Sequence, residues 1–116
     1  MRWILLKITE EDGQKMSKLK KTVFSIIIRT KNEEKWISHC LEAVFSQKID
    51  ADLEVVIVDN NSNDNTVEVA KRYPIKKLVQ INKFFPGKAI NKGIIASTGD
   101  YIVCISAHCI PKNENW

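Results

Sequence analysis

Apolar residues along this chain fall into short dense runs that stop at polar loops, with helical periods between them. Val23 to Arg29 reads as a strand buried on both sides, because Phe24, Ile26, Ile27 and Ile28 leave it no polar face. From Glu33 the period changes. Trp36, Ile37, Cys40, Leu41, Val44 and Phe45 recur at helical spacing and predict an amphipathic helix that lies across the sheet. Glu33 and Glu34 fall in its first turn, where the helix dipole favours negative charge. Leu53 to Val58 is a second buried strand. Asp64 or Asn63 caps a short helix running to Lys71 or Arg72, which Pro74 closes.

Lys76 to Ile81 predicts a third strand, followed by a loop containing Phe84, Phe85, Pro86 and Gly87. Lys88 to Thr98 reads as a third helix, in which Gly93, Ala89 and Ala96 allow close packing on the sheet. Gly99 suits its C-cap. Ile102 to Ile105 is a fourth buried strand that ends at Ser106-Ala107-His108. The order β-α-β-α-β-α-β predicts an α/β fold, a Rossmann-like parallel sheet with helices on both faces. Residues 1–21 have no clear period and are expected to be a basic N-terminal extension; 22–116 form the domain.

The chain has 116 residues, 44% hydrophobic and 28% charged, which suits one domain or part of one. Its net charge of +4 owes much to Lys15, Lys18, Lys20 and Lys21. A solvated extension explains that cluster, and a weak hold on an anionic surface is the sharper alternative. Nucleic acid is not expected, because no basic stripe carries interleaved aromatics. Cys40, Cys104 and Cys109 lack zinc-knuckle spacing and are expected to be reduced, as in the cytoplasm. Trp3 to Leu6 is too short for a signal-peptide core, and no run reaches the ~20 apolar residues of a membrane span. A role at the inner membrane face would need another segment or partner.

Strands that end in polar loops place candidate chemistry at the carboxyl edge of the sheet, where open α/β sheets bind nucleotides. Asp59, with Asn60, Asn61, Ser62 and Asn63 beside it, can accept an N–H from a nucleobase; turn formation and helix capping explain the same run. Arg29 and Thr30 end the first strand. Arg29 suits a phosphate or a base, or an ion pair with Glu33. Lys88 and Asn91 open the third helix and suit a diphosphate or ribose. Surface placement explains Lys88 equally well, whereas a mid-helix Asn is not a propensity choice. His108 can ligate a metal, act as a base or hydrogen-bond locally.

Four blocks now match a known pattern: Ser25 to Glu34, Glu54 to Thr66, Gly87 to Gly93 and Ala96 to His108. Each is degenerate alone; in this order and spacing they are specific. The chain resembles the N-terminal half of a family 2 glycosyltransferase with the GT-A fold. The resemblance implies transfer of a sugar from a nucleoside-diphosphate donor, a UDP-sugar by first choice, to an acceptor hydroxyl on a sugar or lipid-linked glycan. Polysaccharide or glycoconjugate synthesis is the implied setting. Nucleotide-binding roles would fall on Arg29, Thr30, Asn32, Glu33, Asp59, Lys88, Asn91 and Ser106.

In that family an Asp-x-Asp motif holds Mn²⁺ or Mg²⁺. Here Ser106-Ala107-His108 stands in its place, which makes His108 a metal or diphosphate contact and weakens the hold on a hard cation. On that resemblance the acceptor half and the general base are not expected among these residues. A non-catalytic nucleotide-binding or interaction module is the competing reading, and self-association through exposed sheet surface is expected of a partial sheet.

Overall fold

A computed structural model describes residues 4–7, 21–83 and 86–110. The lysines at 15, 18 and 20 and the Phe84-Phe85 pair lie outside the described residues. Five strands form one sheet: β1 (Ile4–Lys7), β2 (Val23–Thr30), β3 (Asp52–Asp59), β4 (Lys77–Gln80) and β5 (Tyr101–Ser106). Their spatial order is β1-β5-β2-β3-β4, and β5, β2, β3 and β4 run parallel. Three helices connect them: α1 (Ile37–Phe45), α2 (Thr66–Ala70) and α3 (Pro86–Ala96).

The sheet is buried on both faces because the strand residues alternate between two apolar clusters. Ile26, Ile28, Val55, Ile57, Val103 and Ile105 pack with Ile37, Cys40, Leu41 and Val44 of α1 and Ala70 of α2. Ile27, Val56, Val58, Ile102 and Cys104 face the other way and pack with Ala89 of α3. Ile27 and Ile28 are wholly buried on opposite faces, and each such side chain contributes about 1.5–3 kcal/mol.

Glycine 93 is what brings α3 this close. A Cβ there would run into the methyl groups of Ile27, with Cδ1 at 3.1 Å. Gly99 works differently from the C-cap expected of it. No described glycine has a positive φ, and a Cβ at 99 would strike the Ser25 hydroxyl and lie 2.8 Å from the Ser25 nitrogen. Its role is close approach to β2, where its N–H donates to Ser25 Oγ at 2.8 Å.

Two other expectations change. Part of the 1–21 extension is a strand: Ile4–Lys7 pairs antiparallel with β5, Ile4 opposite Cys104 and Lys7 opposite Tyr101. The first helix starts at Ile37 rather than Glu33, so Glu33 and Glu34 precede it, and Trp36 is half exposed at its N-cap instead of joining the apolar stripe. Glu33 O accepts from both Trp36 N and Ile37 N, which sets that start.

The amino end of the sheet is clasped by Glu54. Its carboxylate accepts from Ser25 Oγ, from Thr98 N, from Thr98 Oγ1 at 2.7 Å and from Lys76 Nζ at 3.2 Å. Burial alone would raise its pKa, but these donors outweigh it and hold the group at about 2. Ser25, Glu54 and Thr98 thereby tie β2, β3 and the end of α3 together, away from the polar loops. Among the described residues no helix is long and apolar enough to cross a membrane.

Candidate functional site

The chain leaves β2, steps outward through β3 and β4, and returns on the far side of β2 as β5. The order reverses between β2 and β5, and the carboxyl ends of strands at such a reversal open into a crevice. Arg29 lies opposite Ser106 across it, and Thr30 lies opposite Asp59 on the other side.

Asp59 is fully buried. Its Oδ1 accepts from Thr30 Oγ1 and from Ser62 Oγ, both at 2.6 Å, and its Oδ2 accepts from Ser62 N at 2.9 Å. Three protein donors hold this carboxylate, so it braces the loop instead of meeting solvent. Ser62 Oγ in turn accepts from Asn32 N at 2.9 Å, and Asn32 Oδ1 accepts from Asn63 N at 2.7 Å. Lys31 Nζ donates to Asn61 O at 3.1 Å. The loops after β2 and β3 are therefore stitched into one polar rim. Asn32 and Asn61 adopt φ of 50° and 48°, the left-handed region that Asn tolerates better than most residues.

Glu33 links this rim to β5. Its N–H donates to Thr66 Oγ1 at 2.8 Å, and Thr66 is itself buried and hydrogen-bonded through both N and Oγ1 to Asp64 Oδ1. From that anchored backbone the Glu33 carboxylate reaches His108, Oε1 to Nδ1 at 3.1 Å, and Ser106 Oγ lies 3.1 Å from the same nitrogen. The Glu33 side chain is 17% exposed and that of His108 63%. Below them Cys40 is sealed in: burial first, then Cys109 and Glu33 nearby, push its thiol up to about 12.

Two hydrogen-bonded sets thus meet at the Asn32–Glu33 peptide and form the network of the site: Thr30, Asn32 and Asp59 in one, Glu33, Ser106 and His108 in the other. Arg29 is half-buried and points to the α3 face, where its charge opposes the upward push of burial on the Cys104 thiol. Lys88 and Asn91 are exposed on α3 and are not drawn into the network. The site residues underweighted by sequence reasoning are Ser62 and Thr66. A serine three residues after a strand-ending aspartate is the turn chemistry that signals the first; Thr66 carries no comparable mark.

The donor set limits what cation these residues suit. Among the described residues no group of three His, Cys, Asp or Glu side chains converges. Mg²⁺ calls for nearly all-oxygen octahedral coordination, and one imidazole beside a carboxylate already engaged does not fit it. Imidazole suits Mn²⁺ better than Mg²⁺, and His108 is the residue of this set that could offer a ring nitrogen to such a cation.

The four parallel strands carry their polar rim at the strand reversal, where open α/β sheets bind nucleotides. The model of glycosyl transferase family 2 matches residues 25–116, and the chain belongs to that family. It is 35% identical over 97 residues to a Methanococcus voltae enzyme, dolichyl N-acetyl-alpha-D-glucosaminyl phosphate 3-beta-D-2,3-diacetamido-2,3-dideoxy-beta-D-glucuronosyltransferase, covering 78% of this chain and 30% of that one. It is 31% identical over 90 residues to the poly(ribitol-phosphate) beta-N-acetylglucosaminyltransferase TarS of Staphylococcus aureus, covering 72% of this chain and 16% of TarS. The chain therefore spans less than a third of the length of either relative.

Among solved structures, a TarS fragment in complex with UDP-GlcNAc superposes with a TM-score of 0.71 at 26% identity, over 80% of this chain and 28% of that one. A mannosyltransferase from Pyrobaculum calidifontis, in complex with GDP-Man and Mn²⁺, shares the fold with a TM-score of 0.67 at 23% identity, over 90% and 35%. The fold is GT-A, as the motif blocks implied.

Proposed function

We propose that this chain is the donor-binding part of an enzyme that transfers a sugar from a nucleoside diphosphate to an acceptor hydroxyl, in polysaccharide or glycoconjugate synthesis. The observation that carries it is the fused rim. The loops after β2 and β3 are locked together by Thr30, Asp59, Ser62 and Asn32 at the strand reversal. The preference is for a UDP-sugar, on the family pattern and on the UDP-GlcNAc complex of TarS.

In this reading Thr30 and Asn32 frame the nucleoside, and Asp59 acts through them rather than by touching the base. Arg29, from the face that α3 covers, supplies positive charge near the diphosphate, with Lys88 and Asn91 lining the outer side. Preorganised groups of this kind stabilise charge that develops on the departing nucleoside diphosphate. A cation held by His108 and the donor would neutralise part of that charge when bound.

Calorimetric titration of the chain with UDP, GDP and dTDP, each with and without Mn²⁺, tests the reading. The expected result is a preference for UDP that Asp59→Ala abolishes and Thr30→Val weakens. No heat of binding from folded protein at millimolar nucleotide would overturn it.

A further inference from the structure

We propose that Glu33 is a positioning residue for His108: its carboxylate fixes the imidazole as the Nδ1–H tautomer. The geometry is that of Glu33 Oε1 3.1 Å from Nδ1, with Glu33's backbone pinned on both sides. A carboxylate only accepts, so the proton between the two atoms sits on nitrogen. Ser106 Oγ, at the same distance from Nδ1, then shares that N–H as an acceptor and keeps its own hydroxyl proton for another partner. Nε2 is left as the lone-pair nitrogen of the neutral ring.

The consequence separates two roles that the sequence left open. A lone pair on Nε2 repels a phosphate oxygen and suits a cation, and imidazole ligands that donate their other N–H to a carboxylate are the usual arrangement at metal sites. The Glu33–His108 pair also spans the strand reversal, from the β2 loop to the end of β5. It therefore stands where a donor's diphosphate would lie if the proposed function holds, and the cation half of the inference rests on that reading. A carboxylate at position 108 would face Glu33 at contact distance with like charge; the imidazole removes that repulsion.

The test is long-range ¹⁵N–¹H correlation of the imidazoles at alkaline pH, where the rings are neutral, with His108→Gln used to tell His108 from His39. The wild type should show Nδ1–H at His108. Glu33→Ala should switch it to Nε2–H, and Glu33→Gln, which keeps an acceptor oxygen, should retain Nδ1–H. Mn²⁺ affinity measured with UDP present should fall about 10–100-fold in Glu33→Ala. Nε2–H in the wild type, or a tautomer and a Mn²⁺ affinity indifferent to Glu33→Ala, would overturn the proposal. Reading the wild-type tautomer needs no change at Glu33, no nucleotide and no metal. An Nε2–H result would therefore contradict the proposal whether or not Glu33→Ala folds, and independently of a failure to bind UDP, which would sink the donor reading alone.

Discussion

Thr30 donates its hydroxyl proton to Oδ1 of Asp59 at 2.6 Å, joining the last residues of β2 and β3 inside the protein. Neither residue is more than 4% exposed. The bond converts two strand ends into one rigid edge and sets where both following loops begin.

Thr30→Val preserves the shape of that side chain and removes the donor. A buried carboxylate that loses one of its hydrogen bonds costs about 1–3 kcal/mol, so Tm should fall by roughly 5–15 °C. Nucleotide affinity should fall with it, because Ser62 and Asn32 are held through the same carboxylate. Thermal unfolding followed by circular dichroism reads the first effect, and calorimetry the second.

Glu54 gives a pH dependence of known sign. Its pKa is depressed from 4.5 to about 2 in the folded protein, so its stabilising effect is complete above about pH 4.5 and is lost as pH falls toward 2. Glu54→Gln should therefore cost about 1–2 kcal/mol at pH 7 and progressively less between pH 4.5 and 2. Urea midpoints of both proteins across that window check it. A gap that widens on acidification would contradict the clasp.

The two glycines of α3 should respond oppositely to alanine. Gly93→Ala forces a methyl into Ile27 and should destabilise by about 1–3 kcal/mol. A Cβ at Gly87 meets nothing within 4 Å, and Gly87→Ala should be neutral or stabilise by roughly 0.5–1 kcal/mol through helix propensity. Denaturant midpoints of the two variants decide it.

Among the described residues all three cysteines are free, Cys40 and Cys104 buried and Cys109 partly exposed. With its thiol pushed to about 12, Cys40 should resist iodoacetamide at pH 8, while Cys109 is modified first. Peptide mass spectrometry over a time course orders the three. Labelling of Cys40 ahead of Cys109 would show that α1 opens readily.

Much of this architecture was legible because side-chain parity is local. Ile26, Ile27 and Ile28 can satisfy a strand only if both faces are covered, and Ser106 or Asp59 at a strand's end names its own edge. What was not legible depends on partners far along the chain. Glu33 looked like a first-turn acid for α1, and nothing near it in sequence announces His108. Gly99 looked like a helix cap because its real constraint is the backbone of β2. Asp59 looked like a base contact because burial by Thr30 and Ser62 is a property of the folded rim. Ile4–Lys7 is four residues long, and its pairing is written in β5 instead of in itself.

The most direct measurement of the central claim is ¹⁵N–¹H chemical-shift mapping of the chain titrated with UDP. Perturbations are expected in residues 29–33, 59–62, 88–91 and 106–108, with the Glu54 clasp unmoved. A folded protein whose shifts stay unchanged, or move only around Ser25, Glu54 and Thr98, would contradict it.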